Sequence, residues 1–190
     1  MTEFYLVRHG QTEYNCQGKI QGRIDTPLNK TGILQAHELG KYFLEEGLKF
    51  DKVITSPLRR AYATGIIIDG ELGMGDCIID EALSERLFGP LEGEPVSNES
   101  FAKINSDSID GCEKSYEIIE RIKTAILRLA NEYKNQKILV VTHSHVIKAL
   151  AVYVDKNKYH FDDPLYNCGL SIFKSDGKII KIAAFNKKTV

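Results

Sequence analysis

The chain has 190 residues, 43% of them hydrophobic and 27% charged, with a net charge of −1 at pH 7. That length fits one α/β domain with a sizeable core, and the near-zero charge excludes a general attraction to nucleic acid or anionic membrane, so any anion site must be local. No apolar run approaches membrane-spanning length, Met1-Thr2-Glu3 begins no basic and apolar leader, and Cys16, Cys77, Cys112 and Cys168 are scattered without CxxC spacing; together these predict a cytoplasmic protein with reduced thiols.

Residues 4–7 read as a short buried strand that stops at Arg8-His9-Gly10. A strand carries Arg and His inward only for a reason, because an unpaired buried charge is costly. Gly10 then permits a tight turn and a close approach. A polar loop follows, holding Asn15, Gln21, Gly22 and Asp25. Asn29 is placed to cap a helix with the apolar stripe Ile33, Ala36, Gly40, Phe43 and Leu44, and Gly47 suits its end. Residues 50–55 form a second strand. Ser56 as cap and Pro57 in the first turn then open a helix carrying Arg59, Arg60, Thr64, Ile67 and Ile68. Residues 77–79 are a brief third strand.

Residues 80–111 lack strong periodicity, which predicts loops and one or two short helices of the kind that cover a site. The longest helix spans residues 115–133, with Ile119, Ile122, Ile126, Leu129, Ala130 and Tyr133 facing inward. Residues 138–141 are the most buried strand. It ends in Thr142-His143-Ser144-His145, and a helix with Val146, Ile147, Leu150, Ala151 and Val154 follows. Two last strands flank Ser175-Asp176-Gly177, a hairpin signal. Alternating strands and helices predict an α/β fold: three αβα layers around a mostly parallel sheet with an antiparallel edge, in one domain over residues 1–190.

Two of these strands end in histidine, at His9 and His143, and a third leads into a helix start bearing Arg60. Side by side, they would gather two His and two Arg at the carboxyl edge of one sheet, where ligands bind in open α/β sheets. Arginine forks match phosphate oxygens bidentately. The helix starts after Ser56 and His143 would add backbone N–H groups. His143 and His145 are two apart and could share a metal, but no Cys or carboxylate joins them at ligand spacing. The reading is therefore a dianion pocket without metal.

Arg8-His9-Gly10-Gln11-Thr12-Glu13-Tyr14-Asn15 resembles the RHGxTxxN signature of the histidine phosphatase superfamily, phosphoglycerate-mutase-like branch. The segments Gln21 to Leu28, Ser56 to Ala61, Glu85 to Gly93 and Val141 to His143 resemble its further motifs, in family order along nearly the whole chain. The resemblance implies a phosphoglycerate-mutase-like fold and a metal-independent, cofactor-free phosphatase of a small phosphorylated metabolite. His9 would be the nucleophile that becomes phosphohistidine. Arg8, Arg60 and His143 would bind phosphoryl oxygens, with Asn15, Gln21 and the backbone of Ser144 adding contacts. Glu85 would act as acid and then base. Glu81, Glu92 and Glu94 are nearby rivals, and motif position selects Glu85; it likewise selects Arg60 over Arg59.

The chain departs from the family pattern where Ser144 and His145 follow the second histidine and where Leu91 stands in place of Trp. A phosphoglycerate mutase using the same phosphohistidine is the alternative, and a catalytically idle phospho-ligand module is a third reading. The short cap or lid insertion at about 94–113 favours hydrolysis over a mutase, which must shield its intermediate from water. An edge strand or the long helix could pair two copies into a homodimer.

Overall fold

The computed structural model describes residues 1–189. Six strands form one sheet in the order β3-β2-β4-β1-β5-β6. They are β1 (Thr2–Arg8), β2 (Lys52–Thr55), β3 (Cys77–Ile79), β4 (Lys137–Thr142), β5 (Leu170–Ser175) and β6 (Ile180–Lys187). The first four are mutually parallel, and β5 and β6 add an antiparallel edge. This is the predicted architecture.

Strand alternation builds two cores. Phe4 and Leu6 of β1, Ile54 of β2 and Ile138 and Val140 of β4 face one side of the sheet. There they meet α5 (Ser115–Glu132) and α6 (Ser144–Val154). Tyr5, Val7, Val53, Leu139 and Val141 face the other side. They meet α2 (Lys30–Glu45) and α3 (Arg59–Leu72). Successive side chains point to opposite faces of a strand, so runs such as Ile138 to Val141 must be apolar throughout when both faces are covered.

Local signals explain most boundaries. Asn29 caps α2, its side chain accepting from Gly32 N–H at 2.8 Å. Gly47 sits just past α2 with φ +64°, a left-handed position that suits glycine. Residues 80–111 hold two single 3₁₀ turns and α4 (Asn98–Asn105).

Three expectations are corrected. Ser56 is not the cap of α3; Leu58 occupies that place without a side-chain bond, and α3 starts at Arg59. Ile33 and Leu44 are exposed, and Leu39 is buried with Ala36, Gly40 and Phe43, the face on which Gly40 meets Ile68 and Glu71 of α3. On α5, Ile118 and Ala125 are buried while Ile119 and Tyr133 are only half-buried. The loop after β1 also contains a helix that periodicity does not show, the single turn α1 (Glu13–Cys16), capped by Thr12.

The chain leaving β1 lies directly on the first turn of α2. A Cβ on Gly32 would stand 2.1 Å from the Gln11 carbonyl oxygen and 2.6 Å from its nitrogen. Alanine normally stabilises a helix relative to glycine. Here the backbone behind the Arg8-His9-Gly10 turn would have to move, so Gly32→Ala is expected to cost about 1–3 kcal/mol. Urea unfolding checks this; a raised midpoint would contradict the close approach.

Candidate active site

The sheet order brings the ends of β2, β4 and β1 side by side. His9 N–H donates to the Thr142 carbonyl at 2.9 Å, and Ser56 N–H to the Val141 carbonyl at 3.0 Å. His9, His143 and Ser56 thereby continue three adjacent strands. The His9 and His143 rings lie 5.2 Å apart between centroids.

His9 is 2% exposed, and its Nδ1 bonds the Gly10 carbonyl at 2.7 Å. A carbonyl only accepts, so the ring proton sits on Nδ1 and Nε2 carries the lone pair. Arg60 Nε donates to that Nε2 at 3.2 Å. Burial, then the charges of Arg60 and Arg8, hold the His9 pKa well below the ordinary histidine value. The imidazole is therefore neutral at pH 7, in the tautomer that leaves Nε2 nucleophilic.

Arg60 is fully buried, its Nη1 and Nη2 donating to the carbonyls of Ile24 and Gly22 at 2.9 and 2.7 Å. Burial pulls it down to about 10, still far above neutrality. Arg59 N–H donates to Asp25 Oδ1 at 2.7 Å, so that first-turn group of α3 is already partnered within the protein. Arg8 Nη1 donates to the Leu165 carbonyl at 2.5 Å, while its buried Nε has no partner. The Asn15 side-chain oxygen accepts from Thr12 N–H at 3.2 Å, which fixes the amide orientation and turns Nδ2 outward as a donor. Gln21 Oε1 similarly takes the hydroxyls of Thr12 and Thr26 at 2.9 and 2.5 Å.

Glu85 is 6% exposed. Its Oε1 accepts from Arg86 N–H at 2.9 Å and its Oε2 from His145 N–H, the first turn of α6, at 3.5 Å. Burial raises its pKa, opposed by those two bonds and by Arg60 and Arg8. His143 is fully buried, its ring directly beside that of His9. Ser56 Oγ accepts from Leu58 N–H at 3.3 Å and lies 2.7 Å from His143 Nε2. With the hydroxyl hydrogen given to Nε2, the imidazole proton sits on Nδ1, which has no protein partner. This bond is the role Ser56 plays in place of a helix cap.

Residues 4–188 match the family model of the histidine phosphatase superfamily, branch 1. The chain belongs to the histidine phosphatase superfamily. As a histidine phosphatase it falls among the phosphoric monoester hydrolases. An uncharacterized phosphatase, PhoE, of Bacillus subtilis is 38% identical over 151 residues, covering 79% of this chain and 76% of that protein. A 2,3-bisphosphoglycerate-dependent phosphoglycerate mutase of a Methylobacterium is 32% identical, covering 79% of each. The solved structure of a phosphoserine phosphatase mutant from Entamoeba histolytica, in complex with phosphoserine, gives a TM-score of 0.81 at 28% identity, covering 98% of this chain and 97% of that one.

In this histidine phosphatase the gathered groups open onto a cavity of about 440 Å³. Arg8, His9, Asn15, Gln21, Arg60, Glu85 and Ser144 all line it, so seven of the expected residues share one wall. Ile20, Phe88, Val96, Phe101, Ile104 and Leu165 supply its apolar side. Ile104 of α4 packs on Ile20, Phe88 and Leu91 as a small separate cluster, so α4 roofs the cavity. Among the described residues no helix is long and apolar enough to cross a membrane.

Several contributors escape sequence reasoning. Asn167 Nδ2 donates to the His9 carbonyl at 2.9 Å and to Asn15 Oδ1 at 3.2 Å, bracing both. Nothing around Asn167 signals this from sequence. Thr64 Oγ1 accepts from Gly10 N–H at 3.0 Å. Lys148 also lines the cavity; its signal is a single charge inside the apolar run Val146 to Val154.

Proposed function

We propose that the protein hydrolyses a small phosphomonoester through a phosphohistidine on His9, without a metal. The observation that carries this reading is the His9 ring itself, whose proton is held on Nδ1 by Gly10 while Nε2 lies beside the Arg60 guanidinium. The phosphoryl group enters among Arg8, Arg60, Asn15 and Gln21, and Arg60 Nε–H exchanges Nε2 for a phosphoryl oxygen. His9 Nε2 then attacks phosphorus, the bond to the leaving oxygen breaks, and protonated Glu85 gives that oxygen its proton. His143, next to the His9 ring, directs its Nδ1–H to the phosphoryl group, and the Ser144 backbone adds a contact. Water then attacks phosphorus, Glu85 takes its proton, and the P–N bond breaks to release inorganic phosphate and neutral His9.

Charge stabilisation falls mainly to the fixed arginines. Arg60→Ala is therefore expected to lower kcat/KM on the order of a hundredfold or more across all esters. The test is phosphate release from a panel of phosphomonoesters in EDTA, for wild type and this variant. Release that persists in EDTA and falls with Arg60 supports the reading; a few-fold loss would remove Arg60 from the phosphoryl group. The mutase reading rests on the relatives of that name, and isomerisation of phosphoglycerate without phosphate release would establish it instead. The segment at 94–113 acts in this scheme as a lid over the cavity. Four unbonded cysteines suit a cytoplasmic setting.

A further inference from the structure

The cavity has a second charged end that the hydrolytic scheme does not use. Lys148 is 5% exposed and lines the cavity, the one lysine buried among the described residues. A buried ammonium is costly, and a helix rarely keeps one without a partner. Its Nζ donates to the Phe161 carbonyl at 2.8 Å, which occupies one of three N–H groups. His145 stands three residues earlier on α6, about 4.5 Å back along the axis, and also lines the cavity.

The His145 backbone N–H reaches Glu85, and its ring stacks on Phe161 at 5.2 Å and meets Phe88 edge-on at 4.9 Å. Its Nδ1 is buried without a partner. The first turns of α6 therefore run outward from the acid–base carboxyl, past an imidazole, to an ammonium.

We propose that Lys148, with the His145 ring beside it, determines specificity at the leaving-group end of the cavity by taking a single carboxylate of the substrate. The inference rests on the phosphatase reading above and extends it to the alcohol that leaves. A monoanion fits better than a second phosphoryl group. Lys148 supplies one positive charge, Asp162 and Asp163 also line this end, and a dianion would face both carboxylates. Those two are already engaged, Asp162 by the Asn105 side chain at 2.7 Å and Asp163 by His160 N–H at 2.8 Å. They therefore frame the lysine without neutralising it through a direct bond.

The groups acting on Lys148 are Arg8 from β1, Glu85 from the loop after β3, and Asp163 and Asp162 from the loop after α6. Burial and Arg8 outweigh the three carboxylates and pull the ammonium down to about 8. A substrate carboxylate would favour the charged form.

The experiment compares phosphate release from 3-phosphoglycerate, from glycerol 3-phosphate, which carries CH₂OH in place of the carboxylate, and from 4-nitrophenyl phosphate. Wild type, Lys148→Met and Lys148→Arg are assayed. The expected wild-type preference for 3-phosphoglycerate over glycerol 3-phosphate is on the order of tenfold to a hundredfold in kcat/KM, the range of a hydrogen bond to a charged group. Lys148→Met should bring that ratio near one, mainly through KM, and Lys148→Arg should retain it. In wild type the ratio should fall as pH rises past about 8, a readout that needs no variant to fold. A lysine that only anchors the Phe161 loop would leave the ratio untouched in both tests, and that result overturns the assignment. So does hydrolysis of all three esters without preference, which leaves the phosphatase reading standing. Release from none of them overturns both.

Discussion

His9→Ala is expected to reduce phosphate release on the order of 10⁴-fold or more, the scale seen when a covalent nucleophile is removed. The loss should be the same for good and poor leaving groups, because the first bond to phosphorus can no longer form. The reason lies in the last residue of the β1 path: Nδ1 is committed to Gly10 and only Nε2 is left to attack. The depressed pKa sets the sign of the acid limb. Protonation of Nε2 as pH falls through the lowered value removes the nucleophile, so wild-type activity should persist well below the usual histidine range. Stability is a control here: His9 is buried, and urea unfolding of the variant separates loss of chemistry from loss of fold. Residual activity near wild type would remove His9 from the mechanism.

Glu85→Gln is expected to slow alkyl phosphates by about 10²–10⁴-fold, and activated aryl phosphates much less. An alkoxide needs a proton as it leaves; a nitrophenolate does not. The amide keeps the size of the side chain and can still accept from Arg86 N–H, so the effect reads proton transfer rather than collapse of the loop. The pH dependence gives a second sign. Burial raises the Glu85 pKa, so the acid form persists to higher pH, and phosphoryl transfer to His9 should decline as pH rises through that value. This alkaline limb should vanish in the glutamine variant. Equal slowing of both ester classes with the limb intact would assign Glu85 a binding role.

The central sheet was legible because its strands are apolar on both faces and end abruptly in polar residues: Val7 before Arg8-His9 and Val141 before Thr142-His143. The neighbourhood of β1 and β4 then followed from the need to place two histidines at one sheet edge, and the register Arg8 opposite Thr142 realises it. Side chains whose partners come from elsewhere were not legible. Ser56-Pro57 has the chemistry of a helix cap, yet the hydroxyl serves His143, a match made only when β2 pairs with β4. The stripe on α2 gave the buried face but not its limits, since Ile33 and Leu44 are exposed. A one-turn helix such as α1 is shorter than any periodicity, though Thr12 and Asn15 make its capping box. Lys148 and His145 carry no motif. Their place in the cavity depends on how α6 turns after His143, with Phe88 and Phe161 packed against the His145 ring.

The most direct test of the account is a search for the covalent intermediate. Wild type and His9→Ala are mixed with an aryl phosphate, quenched in alkali within the first turnovers, digested and weighed by mass spectrometry. The account predicts one acid-labile phosphoryl group, on the wild-type peptide containing His9, with none on the same peptide of the variant. Full turnover with no phosphoryl group on His9 at any quench time, and with the phosphoryl group inverted by a single attack of water, would contradict it.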